Sequence, residues 1–454
     1  MDERRRIFIA SMITCFVGAF MGSSLNVAVP SMAHDFGLNP DALTWVMTSF
    51  LIASAAGLLP FGRLSDIKGR RRIYVIGLFF ICITTFFCAV VPNYELLVLM
   101  RYLQGVSMSM VFGTCMALLV SCYPSSQRGR VIGMTGAFVY AGLSVGPFVG
   151  GFLTDYFGWR SFFWVTGVIM LINFLLMLNI KAEWYGAKGE KFDKLGAVIY
   201  AAMISMFLYG LSDWTRHEAV KVLPFAAIVL LLIFVWEQNR SESPLLNLSL
   251  FKNKVFALSN IAALIHYSAT FALGFVLSLY LQLVRGMDAF SAGTMLLIQP
   301  VVMSLLSPKA GALSDKFSPR IIASCGMAIM MVSLFVFSFV DESEPLYLIG
   351  INLAFVGLGF ALFSAPNNNA ILSAVDRSFY GIASSVLAAM RLVGQALSMA
   401  LVSLILSVYA ASAVPDNYVE IMLSAFQRIF LLFSILCVFA LAASLARSSK
   451  NNAE

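Results

Sequence analysis

The residues able to do chemistry in this chain are few, and most lie where water is scarce. Asp66 sits in the run Gly62-Arg63-Leu64-Ser65-Asp66-Ile67-Lys68-Gly69-Arg70-Arg71-Arg72, with a long apolar segment on either side. A carboxylate at such a turn can accept hydrogen bonds from a helix N-terminus or a neighbouring guanidinium. A contact of that kind, made in one arrangement of the chain and broken in another, is a latch. The run returns 249 residues later in weaker form, from Gly311 through Asp315 to Arg320. Two arginines, Arg101 and Arg391, fall inside apolar segments, and Gln395 follows Arg391 by one helical turn. A guanidinium does not release its proton at ordinary pH, so each must face protein or a water-filled cavity, holding an anion or biasing a neighbour's proton affinity. His266, near the middle of its segment, has a near-neutral reference pKa and can carry a coupling proton, although a lone histidine in such a place is more often a core residue. Every Asp and Glu is in a loop or within a few residues of a segment end, Glu95, Asp213 and Glu237 being nearest the interior, so no carboxylate is expected at the centre.

Apolar elements must position these groups. Of 454 residues, 60% are hydrophobic and 12% charged, against about 25% charged in soluble domains. The apolar residues come in runs of about 20, enough to cross roughly 30 Å of hydrocarbon as helix. Fourteen spans can be read, at roughly 7–29, 43–62, 73–91, 96–121, 131–153, 161–180, 195–213, 220–236, 255–281, 289–310, 321–340, 345–366, 381–411 and 425–446. The eighth is short and interrupted by Pro224. The first starts at a basic N-terminus and runs to Pro30 without a small-residue cleavage site, so it reads as a retained helix rather than a signal peptide. With the N-terminus inside, 23 of the 30 Lys and Arg residues fall on the inner side, 4 on the outer and 3 within spans. That bias places both termini in the cytoplasm of a cell-membrane protein. The net charge of +7 is then a topology signal and does not call for nucleic acid.

Asp66 ends span 2 and Asp315 ends span 10, so the repeat offset is eight spans. Each half has six spans, with spans 7 and 8 inserted between them. Residues 1–180 and 255–454 are expected to form two six-helix bundles, and 181–254 the inserted pair with its charged linkers. Such an all-α polytopic membrane protein suits a transporter that rocks one half against the other. In span 5, Gly142, Gly146, Pro147, Gly150 and Gly151 strip side chains from one face and interrupt the helix ladder at the proline. That face is expected to pack on a helix of the other half and seal one side of a cavity. Asn26, Trp45, Tyr140, Gln282, Gln299 and Asn352 are candidates to line the cavity, in a chain rich in Met and Phe that suits varied apolar ligands. The seven cysteines read as small packing residues, with no Cys-x-x-Cys pair to hold a metal or a disulfide. No Gly-rich loop followed by Lys-Ser/Thr appears, which argues against a nucleotide-hydrolysing pump. His34-Asp35 lacks a nucleophile or metal set, so an enzyme is not expected.

These residues resemble the major facilitator superfamily over essentially the whole chain, and within it the fourteen-helix drug:proton antiporter family. Gly62, Leu64, Asp66, Gly69, Arg70 and Arg71 are similar to its signature loop. Arg101, Gln104 and Gly105 resemble its second motif, and Gly142 to Gly151 its antiporter motif, which is typical of exporters. Leu25 to Pro30, Pro366 to Ala370 and Arg391 to Gln395 resemble further family patterns. The resemblance implies gating by the signature loop and span 5, and a link between Arg101, Gln104 and proton movement. It also implies a monomer in the lipid bilayer exchanging protons for a small-molecule substrate, with no cofactor. One position departs: Met21 stands where the family usually has an Asp, nine residues before the proline of span 1. Two functions stay open. One is a proton-driven exporter of amphipathic drugs or toxic organic compounds; the other is an exporter of a specific anionic, zwitterionic or neutral metabolite with different or weak coupling.

Overall fold

In lipid, a helix satisfies its own backbone polar groups, so apolar runs of this length fold as helices. The structure, a computed structural model, describes residues 3–38, 42–214, 217–375, 380–411 and 417–447. The first bundle comprises α1 (Glu3–Phe36), α2 (Thr44–Lys68), α3 (Arg70–Val90), α4 (Tyr94–Cys122), α5 (Ser125–Phe157) and α6 (Arg160–Leu178). The inserted pair is α7 (Lys194–Ser212) and α8 (Leu223–Gln238). The second bundle comprises α9 (Lys254–Thr270), α10 (Leu273–Leu279), α11 (Ala289–Leu296), α12 (Ile298–Lys316), α13 (Pro319–Phe337), α14 (Leu346–Ser373), α15 (Tyr380–Ala410) and α16 (Tyr418–Leu445). Fourteen helical stretches are long and apolar enough to cross a membrane, and no strand occurs among the described residues.

Pro30 and Pro224 behave differently from expectation. Pro30 does not end the first helix, which continues to Phe36, and Pro147 lies inside a continuous α5. A transmembrane helix tolerates the lost hydrogen bond because packing and neighbouring groups compensate for it. Pro224 does not interrupt span 8; it starts α8, where its missing N–H costs nothing. Spans 9 and 10 are the broken ones, into α9–α10 and α11–α12. The Ala272 N–H freed at the first break donates to Ser398 Oγ at 3.1 Å. A π turn over Tyr280–Val284 then carries the chain out of α10.

Within the first bundle α1 packs on α5 and α2 on α4; within the second α14 packs on α12 and α13. The halves meet where α5 lies along α11 and α12, α1 along α10 and α11, and α2 along α15. The inserted pair packs outside, with α7 against both α2 and α15. The face that carries the start of α1 is called the N-face below, and the opposite one the far face.

Candidate translocation pathway and gates

The signature loop is held inside its own half. Asp66, in the last turn of α2, accepts from Arg70 Nε at 2.8 Å and Nη2 at 2.7 Å. Arg70 also donates to the Ala117 carbonyl at 3.2 Å and to Ser121 Oγ on α4. Gly69 permits the turn with φ of 110°, and a side chain there would run into Glu183. Glu183, in the linker after α6, caps α3: its carboxylate accepts from the backbone N–H of Arg71 at 2.7 Å and of Arg72 at 3.1 Å. Arg71 reaches the Leu178 carbonyl at 3.2 Å. The Asp66 carbonyl receives the N–H groups of Gly186 and Ala187, each at 3.0 Å. Gly62 matters for approach, since its backbone crosses that of Gly113 on α4. Glu183 was not a sequence candidate; the charged linker was its only signal. Asp315, the counterpart in the second half, has a side chain outside the described residues.

The glycines of α5 divide between two partners. Gly142, Gly146 and Gly150 face α1 of the same half, where added side chains would strike Phe16, Ser23 and Ser24. This corrects the expectation of a stripe facing the other half. A four-residue spacing keeps all three on one helix face, and that face belongs to α1. Gly151, rotated off the stripe, is the glycine that meets the second half, against the backbone of Ala289 and Phe290. Gly293 of α11 lies in turn against the Pro147 carbonyl. Around this crossing Phe148 and Phe290 pack with ring centroids 5.1 Å apart, and Asp155 Oδ2 accepts the Phe290 N–H at 2.7 Å. Asp288 caps the same helix end through the Ser291 N–H at 2.6 Å, and that bond holds its carboxyl below the usual carboxylate range.

Other bonds between the halves follow the same side. Gln282 Nε2 donates to the Val27 carbonyl at 3.1 Å, a reach given by the π turn. Asn26 lies against Gly274, and Thr44 Oγ1 is 3.1 Å from Ser403 Oγ. Near the middle, Tyr140 Oη is 3.4 Å from Ser364 Oγ, and Ser144 Oγ is 3.3 Å from Ser304 Oγ. The hydrogen bonds just named between the halves lie at the middle or toward the far face. The far face is closed. Arg391 of α15 is half-buried at the middle, beside Tyr267 of α9 and within electrostatic reach of Cys15 on α1. Gln299 is half-buried on α12, its backbone carbonyl against Gly357. Tyr267, Cys15 and Ser364 escaped the sequence reading because nothing in their neighbours marks which face they present.

Five candidates, Arg101, Gln104, Trp45, Asn352 and His266, are placed away from the centre or out of its reach. Arg101 is 2% exposed between α2 and α4. It donates to the Val46 carbonyl at 2.9 Å and to Gln104 Oε1, and lies 4.3 Å over the Phe50 ring. Gln104 passes the chain on to Thr85 Oγ1 at 2.6 Å. Trp45 does not line the central cavity; it packs with its ring tilted against Tyr209 of α7, centroids 5.3 Å apart, and lines a lateral cleft of about 510 Å³ between α2, α4 and the inserted pair. Asn352 faces α13, donating to the Ser333 carbonyl at 2.9 Å. Its amide ties two helices of one half, the ordinary use of a polar residue between membrane helices. His266 is fully buried among Phe360, Phe363 and Tyr267, and neither ring nitrogen has a hydrogen-bond partner. A second proton on that ring would leave a buried cation without an acceptor.

Comparisons agree with this architecture. Residues 11–398 match the family model described as Major Facilitator Superfamily, with a second match over 259–453. The chain is 30% identical over 404 residues to the riboflavin transporter RibZ of Clostridioides difficile, covering 89% of this chain and 88% of that one. It is 28% identical over 430 residues to the multidrug resistance protein Stp of Mycobacterium tuberculosis, covering 90% and 80%. A solved bacterial homologue of the human lysosomal transporter Spinster, inward-facing and unoccupied, has the same fold, with a TM-score of 0.71 at 15% identity over 98% and 97% of the two chains. Two six-helix bundles with two helices inserted between them, matched along nearly their whole length, place this chain in the major facilitator superfamily.

Proposed function

We propose that this protein is a secondary active transporter that exports amphipathic organic molecules by alternating access in exchange for protons, as in the fourteen-helix drug:proton antiporters. The observation that carries the reading is the seal at Gly151, Gly293 and Asp155 on the far face, with a polar and aromatic centre beneath it. With both termini in the cytoplasm, as the Lys and Arg bias argues, a sealed far face leaves the centre to be loaded from the cytoplasm. The likeness to Stp supports a drug substrate. The likeness to RibZ, together with Arg391 at the centre, supports the second reading, a specific anionic, zwitterionic or neutral metabolite.

The test uses purified protein in liposomes under an imposed pH gradient, with internal pH followed by a dye and cationic, neutral and anionic amphiphiles added in turn. Proton movement evoked by a transported compound is the expected result. Flux of a labelled compound without proton movement overturns antiport and leaves transport standing. No flux of any class overturns the reading.

A further inference from the structure

The centre of the molecule holds a cation and no acid. Arg391 is within hydrogen-bond reach of Tyr267 on α9 of its own half and within electrostatic reach of Cys15 on α1 of the other. No described acid forms an ion pair with it, and every carboxylate in the sequence lies in a loop or near a span end. The other deep arginine, Arg101, is already occupied by the Val46 carbonyl, Gln104 and the Phe50 ring. Tyr267 and Cys15, the groups named beside Arg391, are neutral hydrogen-bonders. Tyr267 is flanked by Ser364 and Tyr140 and lies 6.0 Å from the Phe360 ring.

An uncompensated guanidinium away from bulk water attracts anions and repels cations more strongly than it would in solvent. Its planar fork fits a carboxylate or another edge with two acceptors. Tyrosine hydroxyls and a serine add donors, and the rings offer flat apolar surface. We propose that Arg391, Tyr267, Tyr140 and Ser364 form the substrate subsite, and that it takes planar aromatic molecules bearing an anionic or electron-rich acceptor edge in preference to organic cations. This rests on the reading of the centre as the transport cavity and names the substrate class for it.

Three two-ring probes of similar size separate charge from shape: 2-naphthoate, 2-naphthol and N-methylquinolinium. Binding to the purified full chain is measured by equilibrium dialysis. Naphthoate is expected to bind about tenfold more tightly than quinolinium, the scale of one charge-assisted hydrogen bond. Arg391→Gln should remove that preference, and a thermal unfolding transition matching that of the unaltered chain shows that the variant is folded. Arg391→Lys should keep part of the preference, and naphthoate should slow maleimide labelling of Cys15 in the unaltered chain. Quinolinium binding as tightly as naphthoate, or naphthoate binding unchanged in Arg391→Gln, overturns the proposal. The same probes in the liposome assay keep the two ideas apart. Ranked binding without flux sinks the transport reading alone. Cation flux indifferent to Arg391 sinks the subsite alone.

Discussion

Glu183 accepts two backbone N–H groups at the start of α3 and so fastens the linker to the signature loop. A carboxylate at a helix N-terminus is favoured by both the free N–H groups and the helix dipole, together worth about 1–2 kcal/mol when partly buried. Glu183→Ala is expected to lower the unfolding midpoint by a few degrees and to speed tryptic cleavage at Lys188 or Lys191. Equal cleavage rates in the two chains would show that the clasp is not formed in solution. Arg70 is a harder case to replace. One guanidinium serves Asp66, the Ala117 carbonyl and Ser121, and a lysine ammonium cannot span that fork. Arg70→Lys should therefore behave like Arg70→Ala in transport rate, with several-fold loss in both; a near-normal Arg70→Lys would contradict this. At this scale the sequence was legible only in part. Asp66, Gly69 and Arg70 announce themselves by spacing, because a turn between two apolar runs leaves them few places to go. Trp45 and Asn352 do not, because residue type alone does not tell which face of a membrane helix looks at a neighbour, at lipid or at the cavity.

α5 carries two tasks on adjacent faces, and substitution should separate them. A side chain at Gly146 would overlap Ser23 of α1 inside the same half. Overpacking of that kind costs about 1–3 kcal/mol, so Gly146→Val should lower thermal stability. At Gly151 an added Cβ would meet the Phe290 Cα at 2.8 Å, across the boundary between the halves. That strain is relieved when the halves part, so Gly151→Ala should keep its unfolding midpoint and open the far face. The readout is labelling of a cysteine placed at Ser304, in a background without native cysteines, by an impermeant thiol reagent applied from the far side. Faster labelling in Gly151→Ala than in its parent is expected; slower or equal labelling would contradict the gate. The spans themselves could be read from the sequence because about 20 consecutive apolar residues have few alternatives to a membrane helix. The breaks inside spans 9 and 10 could not. Gly and Pro residues are tolerated within such helices, so they do not mark where the ladder stops.

At the scale of the whole molecule, two carboxylates from different halves share the start of α11. Asp288 travels with that helix and Asp155 does not, so parting the halves removes one cap and keeps the other. The Asp288 carboxyl is held down by the Ser291 N–H. Its folded pKa is thus lower than the unfolded value of about 3.9. Its contribution is fully present above the unfolded value and is lost as pH falls through the folded one. Between pH 5 and pH 8, Asp288→Asn should therefore leave the pH dependence of far-face labelling unchanged. Asp155→Ala should raise labelling throughout that range. A pH profile that flattens in Asp288→Asn would show that this carboxylate titrates with the gate. The two-bundle plan was legible from the repeated loop alone. The far-face seal was not, because residue types alone do not tell which faces of α5 and α11 meet.

The connections between the halves carry a mechanical consequence. The first is stitched down at Glu183, Trp184, Gly186, Ala187 and Glu190 before α7 begins. The second is pinned by Gln238 to the Leu246 N–H and by Asn253 to the Ala374 carbonyl. Neither is spare rope. If one half turns against the other, little slack is available in the connectors, and the relative travel falls on the surfaces where α7 rides on α2 and α15. The inserted pair then acts as a bearing between two moving bodies, and freezing it to both at once should stall the machine while leaving each body intact.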